Sequence, residues 1–258
     1  MTNFPPSSQY PQYPQYPQYP QSPRPGQHGV YGSSYGSSFG SHPRPHPHRA
    51  PQQPVIHHAK SYGWKTGIRY AIGYVVVIWA VHIINMLFFG GNLIAFGIHP
   101  LDPSSLLNIF TSPLLHGSWE HLISNTVPGA IFCFIIGYSG HRVFWEVTLI
   151  AAIVAGAGVW LFGGIGTNHI GASGLVYGWL AYLIIRGIFN RSFRQILLGV
   201  VLGFSYSGLI WGVIPGTAGV SWQAHLFGAL GGFGAGIFIT SDDPPALKAR
   251  KQRNQINR

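Results

Sequence analysis

The sequence predicts an all-α, polytopic membrane protein folded as a bundle of six transmembrane helices. Three observations predict it. Only 8% of the 258 residues are charged and 47% are hydrophobic, whereas a soluble domain carries roughly 25% charged residues. Six apolar stretches recur between residues 66 and 240, each close to the roughly 20 residues that cross a hydrocarbon core as a helix. Lys and Arg gather in alternate connections between those stretches, the asymmetry that orients membrane helices.

Residues 1–60 are a different material. They are built from Pro, Gln, Tyr, Gly, Ser and His, with a Tyr-Pro-Gln repeat from Tyr10 to Gln21. Such a segment buries too little apolar surface to offset its ordering entropy and is expected to be a disordered cytoplasmic tail. It has no apolar core before a small-residue cleavage site, so it does not read as a signal peptide. The membrane domain is expected over 61–241, with apolar stretches at 66–89, 119–138, 143–162, 171–189, 195–214 and 221–240. They lack the strict alternation of barrel strands, which leaves helices as the way to satisfy their backbones in lipid. Residues 242–258 read as a basic cytoplasmic tail.

The charges give the orientation. Lys60, Lys65 and Arg69 precede or open the first stretch, and Arg142 lies between the second and third. Arg186, Arg191 and Arg194 lie around the connection between the fourth and fifth, and Lys248, Arg250, Lys251, Arg253 and Arg258 follow the sixth. The segments 90–118, 163–170 and 215–220 hold no Lys or Arg. Both termini are therefore expected in the cytoplasm. The formal charge of +10 is accounted for by topology and by contact with the lipid bilayer, so no nucleic acid partner is expected. With no targeting segment, a bacterial plasma membrane is the expected location. The single Cys133 cannot form an intramolecular disulfide and leaves the redox compartment open.

Polar side chains inside membrane spans mark function by default. Here they are His82 and Asn85 in the first stretch, His121 and Asn125 in the second, Ser173 and Tyr177 in the fourth, and His225 in the sixth. The span interiors hold no Asp or Lys. A membrane aspartyl protease and a carboxylate-coupled carrier are thereby disfavoured. Glu120-His121 has no second His at the spacing of a zinc-protease helix. Hydroxyl and imidazole chemistry remains.

Gly171-Ala172-Ser173-Gly174 places a serine among small residues at a helix start, where its own N–H is one of the unpaired donors of the first turn. Tyr177 follows on the same face. His225 opens a stripe of Gly228, Gly232 and Gly236 that lets one helix lie close against another. If the partner is the helix of Gly174 and Gly178, His225 comes to Ser173, and an imidazole can then take the proton of a hydroxyl nucleophile. His121 and Asn125 are four apart on one face and could stabilise an oxyanion together with the Ser173 N–H. His116, just before them, better fits a role tying the outer loop to that helix. Taken alone, the serine and histidine elements read better as packing, a small-residue contact and a histidine bonded to a backbone carbonyl, and the third element also reads as a polar helix pair.

Taken in order, His116-x4-His121-x3-Asn125, Gly171-x-Ser173-Gly174 with Tyr177, and Ala224-His225-x2-Gly228-x3-Gly232 resemble the rhomboid intramembrane serine proteases over roughly 66–240. The resemblance implies a six-helix fold with a cavity open to the extracytoplasmic side and a Ser173–His225 dyad. It implies an oxyanion hole of His121, Asn125 and the Ser173 N–H, supported by Gly171, Gly174, Tyr177, His116 and Gly228. It also implies cleavage of transmembrane protein substrates near their extracytoplasmic ends, with no cofactor and no metal. Many members carry a Trp-Arg pair in the first outer loop where this chain has Leu107-Asn108, so altered loop packing is expected. Two other readings use the same residues: a non-catalytic binder of membrane helices, and a small-molecule channel or carrier. Substrate identity and oligomeric state are not legible.

Overall fold

A computed structural model describes residues 63–256, without the side chain of Lys251. The expectations for the 1–60 tail lie outside the described residues. Helices form where the apolar stretches were expected, and serine side chains start three of them. Ser118, Ser192 and Ser221 accept from the backbone N–H three residues on, opening α2 (Trp119–Ser139), α5 (Phe193–Ser205) and α6 (Trp222–Phe238). Each satisfies a donor that a helix N-terminus leaves unpaired. Gly140, at φ +127°, makes the one-residue corner between α2 and α3 (His141–Phe162).

α1 (Trp64–Phe88), α2 and α3 are each long and apolar enough to cross a membrane. α4 (Ser173–Asn190) and α6 have 18 and 17 residues, or roughly 25–27 Å at the helical rise, a little under the ~30 Å hydrocarbon core. The fifth stretch departs from expectation. It is not one helix over 195–214 but α5 followed by a 3-10 helix, η4 (Ser207–Val213), bent by 66°. Ser205, Ser207, Gly208 and Gly212 are weak helix formers, and the carbonyls of Leu209 and Gly212 are drawn to side chains of α4 and α6 instead. By length and composition three helices qualify as spans, or four if the bent pair is one. The stretch expected as a basic tail contains a helix, α7 (Pro245–Ile256).

The core lies among α2, α3 and α4, around Phe132, Ile136, Val147, Val176 and Trp179. The Trp179 indole N–H donates to Thr148 Oγ1 at 3.1 Å, so its polar atom is satisfied inside the bundle. α1 leans on α2, where Gly129 makes room for the Tyr74 ring. The Tyr74 hydroxyl donates to the Asn125 carbonyl at 3.0 Å. α4 and α6 form the most extensive helix contact among the described residues. A Cβ on Gly228 would overlap the Gly174 carbonyl, and one on Gly232 the Gly178 carbonyl. The two backbones therefore touch with no side chain between them.

The 90–118 loop folds into three 3-10 helices, η1 (Asn92–Phe96), η2 (Pro103–Ile109) and η3 (Ser112–Leu114). Asn108 donates to the Gly97 carbonyl at 2.8 Å, and Thr111 to that of Phe96 at 2.8 Å. Asn108 thus pins the loop to itself, while Leu107 is exposed. The loop joins the bundle through Trp160, whose indole donates to the Asp102 carbonyl at 2.9 Å. A reciprocal backbone pair, Ile98 with His169 (2.9 and 3.0 Å), adds a second tie. His116 ends this loop, 1% exposed, with its ring edge-on to His121. Neither of its ring nitrogens makes a hydrogen bond of normal geometry.

The other end of the bundle, here the far end, holds a buried ionic cluster. Arg186 of α4 binds Asp242 and Asp243, which follow α6; the three side chains are 3%, 5% and 1% exposed. Arg186 was expected only as a topology signal. It instead faces inward and consumes its charge inside the protein.

Two outcomes follow from this packing. Gly232→Val forces α6 off α4, an overpacking cost of about 1–3 kcal/mol or more, and should lower the thermal midpoint in detergent. Burial, with His121 beside it, pushes the His116 imidazole down from 6.5 to about 4. The unfolded chain therefore takes this proton first, and stability contributed by neutral His116 is lost as pH falls from about 6.5 towards 4. Thermal midpoints at pH 7 and pH 5 should differ less in His116→Phe than in the parent; an equal difference would show that His116 is not a source of the loss.

Candidate active site

Ser173 is the first residue of α4, and the turn before it is built by Gly171. Gly171 has φ +115°, a region that glycine occupies without strain. A Cβ there would also lie 2.5 Å from Cε1 and Nε2 of His121. Its N–H donates to the Ser112 carbonyl at 2.9 Å, which fastens the turn to η3. Glycine is thus needed for both the bend and the approach of His121. Ala172 precedes the helix with no side-chain cap, so the Ser173 N–H sits in a first turn whose donors have no preceding carbonyl.

His225 lies in the first turn of α6. Its Nε2 is 2.9 Å from Ser173 Oγ. Its Nδ1 is 2.8 Å from the Gly212 carbonyl of η4. A carbonyl can only accept, so Nδ1 carries the hydrogen and Nε2 is left with the lone pair that faces the hydroxyl. The Tyr177 ring stacks on the imidazole at 4.1 Å and 8°. The Tyr177 hydroxyl in turn donates to the Leu209 carbonyl at 2.6 Å. One ring therefore packs on the imidazole and is itself held by the same 3-10 segment that binds it. This arrangement can pass a proton from hydroxyl to imidazole with the ring fixed in one tautomer and one plane.

A cavity of about 650 Å³ opens beside the pair. Its walls include Ser173, Tyr177 and His225, and also His121, Ser124 and Asn125 from α2. The Asn125 amide donates to the His121 carbonyl at 2.8 Å, which orients the group and leaves its second N–H available. Pro128 also lines this wall, and having no N–H it cannot take up the Ser124 carbonyl one turn back. The structure thus gathers Ser173, His225, Tyr177, His121 and Asn125 around one cavity. Gly174 and Gly228 lie behind it in the α4–α6 contact, and His116 lies beneath His121.

Two contributors lie outside the sequence motifs. His169 Nδ1 is 2.7 Å from Ser221 Oγ, and its Nε2 is near Thr167 Oγ1 (2.8 Å) and the Gly163 carbonyl (3.1 Å). It ties the segment before Ser173 to the cap of α6, and burial pushes its imidazole pKa down. Gly212 contributes only a carbonyl, which no residue type advertises. The available signal was the glycine itself: a Cβ there would overlap the Tyr177 hydroxyl and lie 2.8 Å from His225 Nδ1.

Comparison with known proteins gives the family. The family model of the rhomboid domain matches residues 103–242. An uncharacterized protein of Mycobacterium tuberculosis is 37% identical over 208 residues, covering 78% of this chain and 85% of its own length. An uncharacterized protein of Mycobacterium bovis matches to the same extent, 37% over 208 residues. A third, from Mycobacterium leprae, is 39% identical over 155 residues, 57% of this chain and 61% of its own length. The matched region runs from η2 to Asp242 and contains all of the cavity-lining residues named above, and so the chain belongs to the rhomboid family of intramembrane proteases.

Proposed function

We propose that this chain is an intramembrane serine endopeptidase that cleaves transmembrane protein substrates near their extracytoplasmic ends through a Ser173–His225 dyad. The observation that carries it is the 2.9 Å approach of His225 Nε2 to Ser173 Oγ while Nδ1 is bound to the Gly212 carbonyl. In this reading α1, α2, α3, α4, the bent α5–η4 unit and α6 are the six crossings. Both termini lie in the cytoplasm of a bacterium, and the protein sits in its plasma membrane. The cavity then faces the extracytoplasmic side, where the Lys- and Arg-free connections are.

Ser173 Oγ attacks the scissile carbonyl carbon as its proton passes to His225 Nε2. The carbonyl oxygen becomes an oxyanion and accepts from His121, Asn125 Nδ2 and the Ser173 N–H. The intermediate collapses, and the imidazolium returns its proton to the leaving amine. Water then gives a proton to His225 and attacks the acyl carbon; a second collapse frees the new carboxyl terminus and reprotonates Ser173. The reaction as written needs neither metal nor cofactor. A helix in lipid satisfies its own backbone bonds, so a substrate must unwind locally before its carbonyl can be reached.

The first test is cleavage of a single-span substrate by purified protein. The parent should cleave; Ser173→Ala and His225→Ala should not. No cleavage together with no fluorophosphonate labelling of the parent would leave the chain as a non-catalytic binder of membrane helices. Asn125→Ala should slow turnover by about 10²–10³-fold, the usual loss for one oxyanion donor. Gly212→Val should slow it by about tenfold to a hundredfold, because its side chain pushes η4 off Tyr177 and His225. Gly208→Ala, in the same 3-10 helix but with open space around it, should stay within about twofold of the parent if contact at Gly212 rather than η4 flexibility is what matters.

A further inference from the structure

The α4–α6 contact brings Ser173 and His225 together, but a glycine seam is smooth. With carbonyls resting on Cα atoms at Gly174, Gly178, Gly228 and Gly232, few side-chain ridges interlock to resist sliding or rotation of one helix on the other. A hydrogen bond of 2.9 Å between the two helices tolerates little of either. Ile185 of α4 seats on Gly236 of α6, and beside it directed polar bonds can set the register more narrowly.

The far-end cluster has the geometry to do so. Arg186 Nε donates to Asp242 Oδ1 and Oδ2 at 2.9 and 3.1 Å. Its other nitrogens reach the Gly236 carbonyl at 2.9 Å and Asp243 Oδ1 at 2.7 Å, with a further bond to Asp242. Tyr182 and Asn190, also on α4, donate to Asp242 Oδ2 at 2.9 and 3.2 Å. The donors just named are all on α4. Every acceptor is in the last turns of α6 or the segment directly after it. A planar guanidinium held on two edges by carboxylates and by a helix carbonyl fixes distance and rotation together. Buried ion pairs contribute little net stability compared with apolar residues of the same size, and their attested use is to specify register.

We propose that Arg186, held by Asp242 and Asp243, is a positioning residue for the Ser173–His225 pair: it sets the axial register and rotation of α6 on α4. This rests on the proposed protease reading for its catalytic consequence, though not for its geometric one. Gly236 is three helical turns from His225 along α6 and Arg186 is thirteen residues from Ser173 along α4, arms of about 16 and 20 Å. An error at the clamp is thus carried the length of both helices to the dyad.

The test separates position from stability. Arg186→Met withdraws the guanidinium from two buried carboxylates and is expected to fold poorly. Arg186→Met combined with Asp242→Asn and Asp243→Asn removes all the buried charge and should recover the parental thermal midpoint. Two quantities are then read on the folded protein in detergent. One is the rate constant, not the extent, of Ser173 labelling by a fluorophosphonate. The other is the ¹⁵N NMR signal of His225, assigned as the histidine resonance lost in His225→Ala. The neutral triple variant should label about tenfold to a hundredfold more slowly, as expected for a misplaced catalytic group. Its His225 signal should change from one tautomer to an average of two. Arg186→Lys, which keeps the charge and loses the fork, should fall between and serves if the triple variant does not fold. Parental labelling and a parental His225 signal in whichever variant folds would overturn the inference. If the parent itself never labels, the protease reading fails, and the His225 signal alone decides whether Arg186 sets the register.

Discussion

Backbone contact between α4 and α6 is the constraint on which the rest of the structure depends. Two helices can approach this closely only where neither has side chains, and Gly174, Gly178, Gly228 and Gly232 supply that condition in register. In lipid there is little hydrophobic gain from burying one apolar helix on another, so close van der Waals fit carries the association. The contact also places the first turn of α4 beside the first turn of α6, and those two turns hold Ser173 and His225. Gly171, Ser221 and His169 then finish the loop end locally, and Arg186 closes the far end.

Much of this was legible in the residues. The apolar stretches marked the helices to within a few positions, because hydrocarbon leaves a backbone few choices. Polar groups are scarce in such stretches, and of those singled out the structure brings Ser173, Tyr177, His225, His121 and Asn125 to one cavity, while His82 and Asn85 are buried on α1 outside its lining. Rarity is an informative signal in this solvent. Where polarity is ordinary, at the ends of the helices, it failed: Arg186 looked like any cytoplasmic arginine, and Asp242 and Asp243 read as the start of the basic tail. Their meeting depends on the distance between the ends of α4 and α6, which no local pattern states.

The bend after α5 was illegible for a different reason. Residues 195–214 have the length and apolarity of a simple span, and glycines are common in membrane helices. What breaks the helix is competition from outside it. The Tyr177 hydroxyl and the His225 ring take the carbonyls of Leu209 and Gly212. The local chain permits the break and the partners select it. The Leu107-Asn108 departure has the reverse character: it was visible at once, and its structural answer is local, with Asn108 bonded within its own loop.

The Gly212 carbonyl has one more consequence. In a serine–histidine–aspartate arrangement the third member is a side chain, and a single codon can delete it. Here the acceptor belongs to the main chain, so no codon removes it; only a change in the path of η4 can. Relatives that have kept both the serine and the histidine but bend differently after the fifth helix would look intact in an alignment and yet hold the imidazole loosely. For this arrangement, the hold on the imidazole is inherited as a shape.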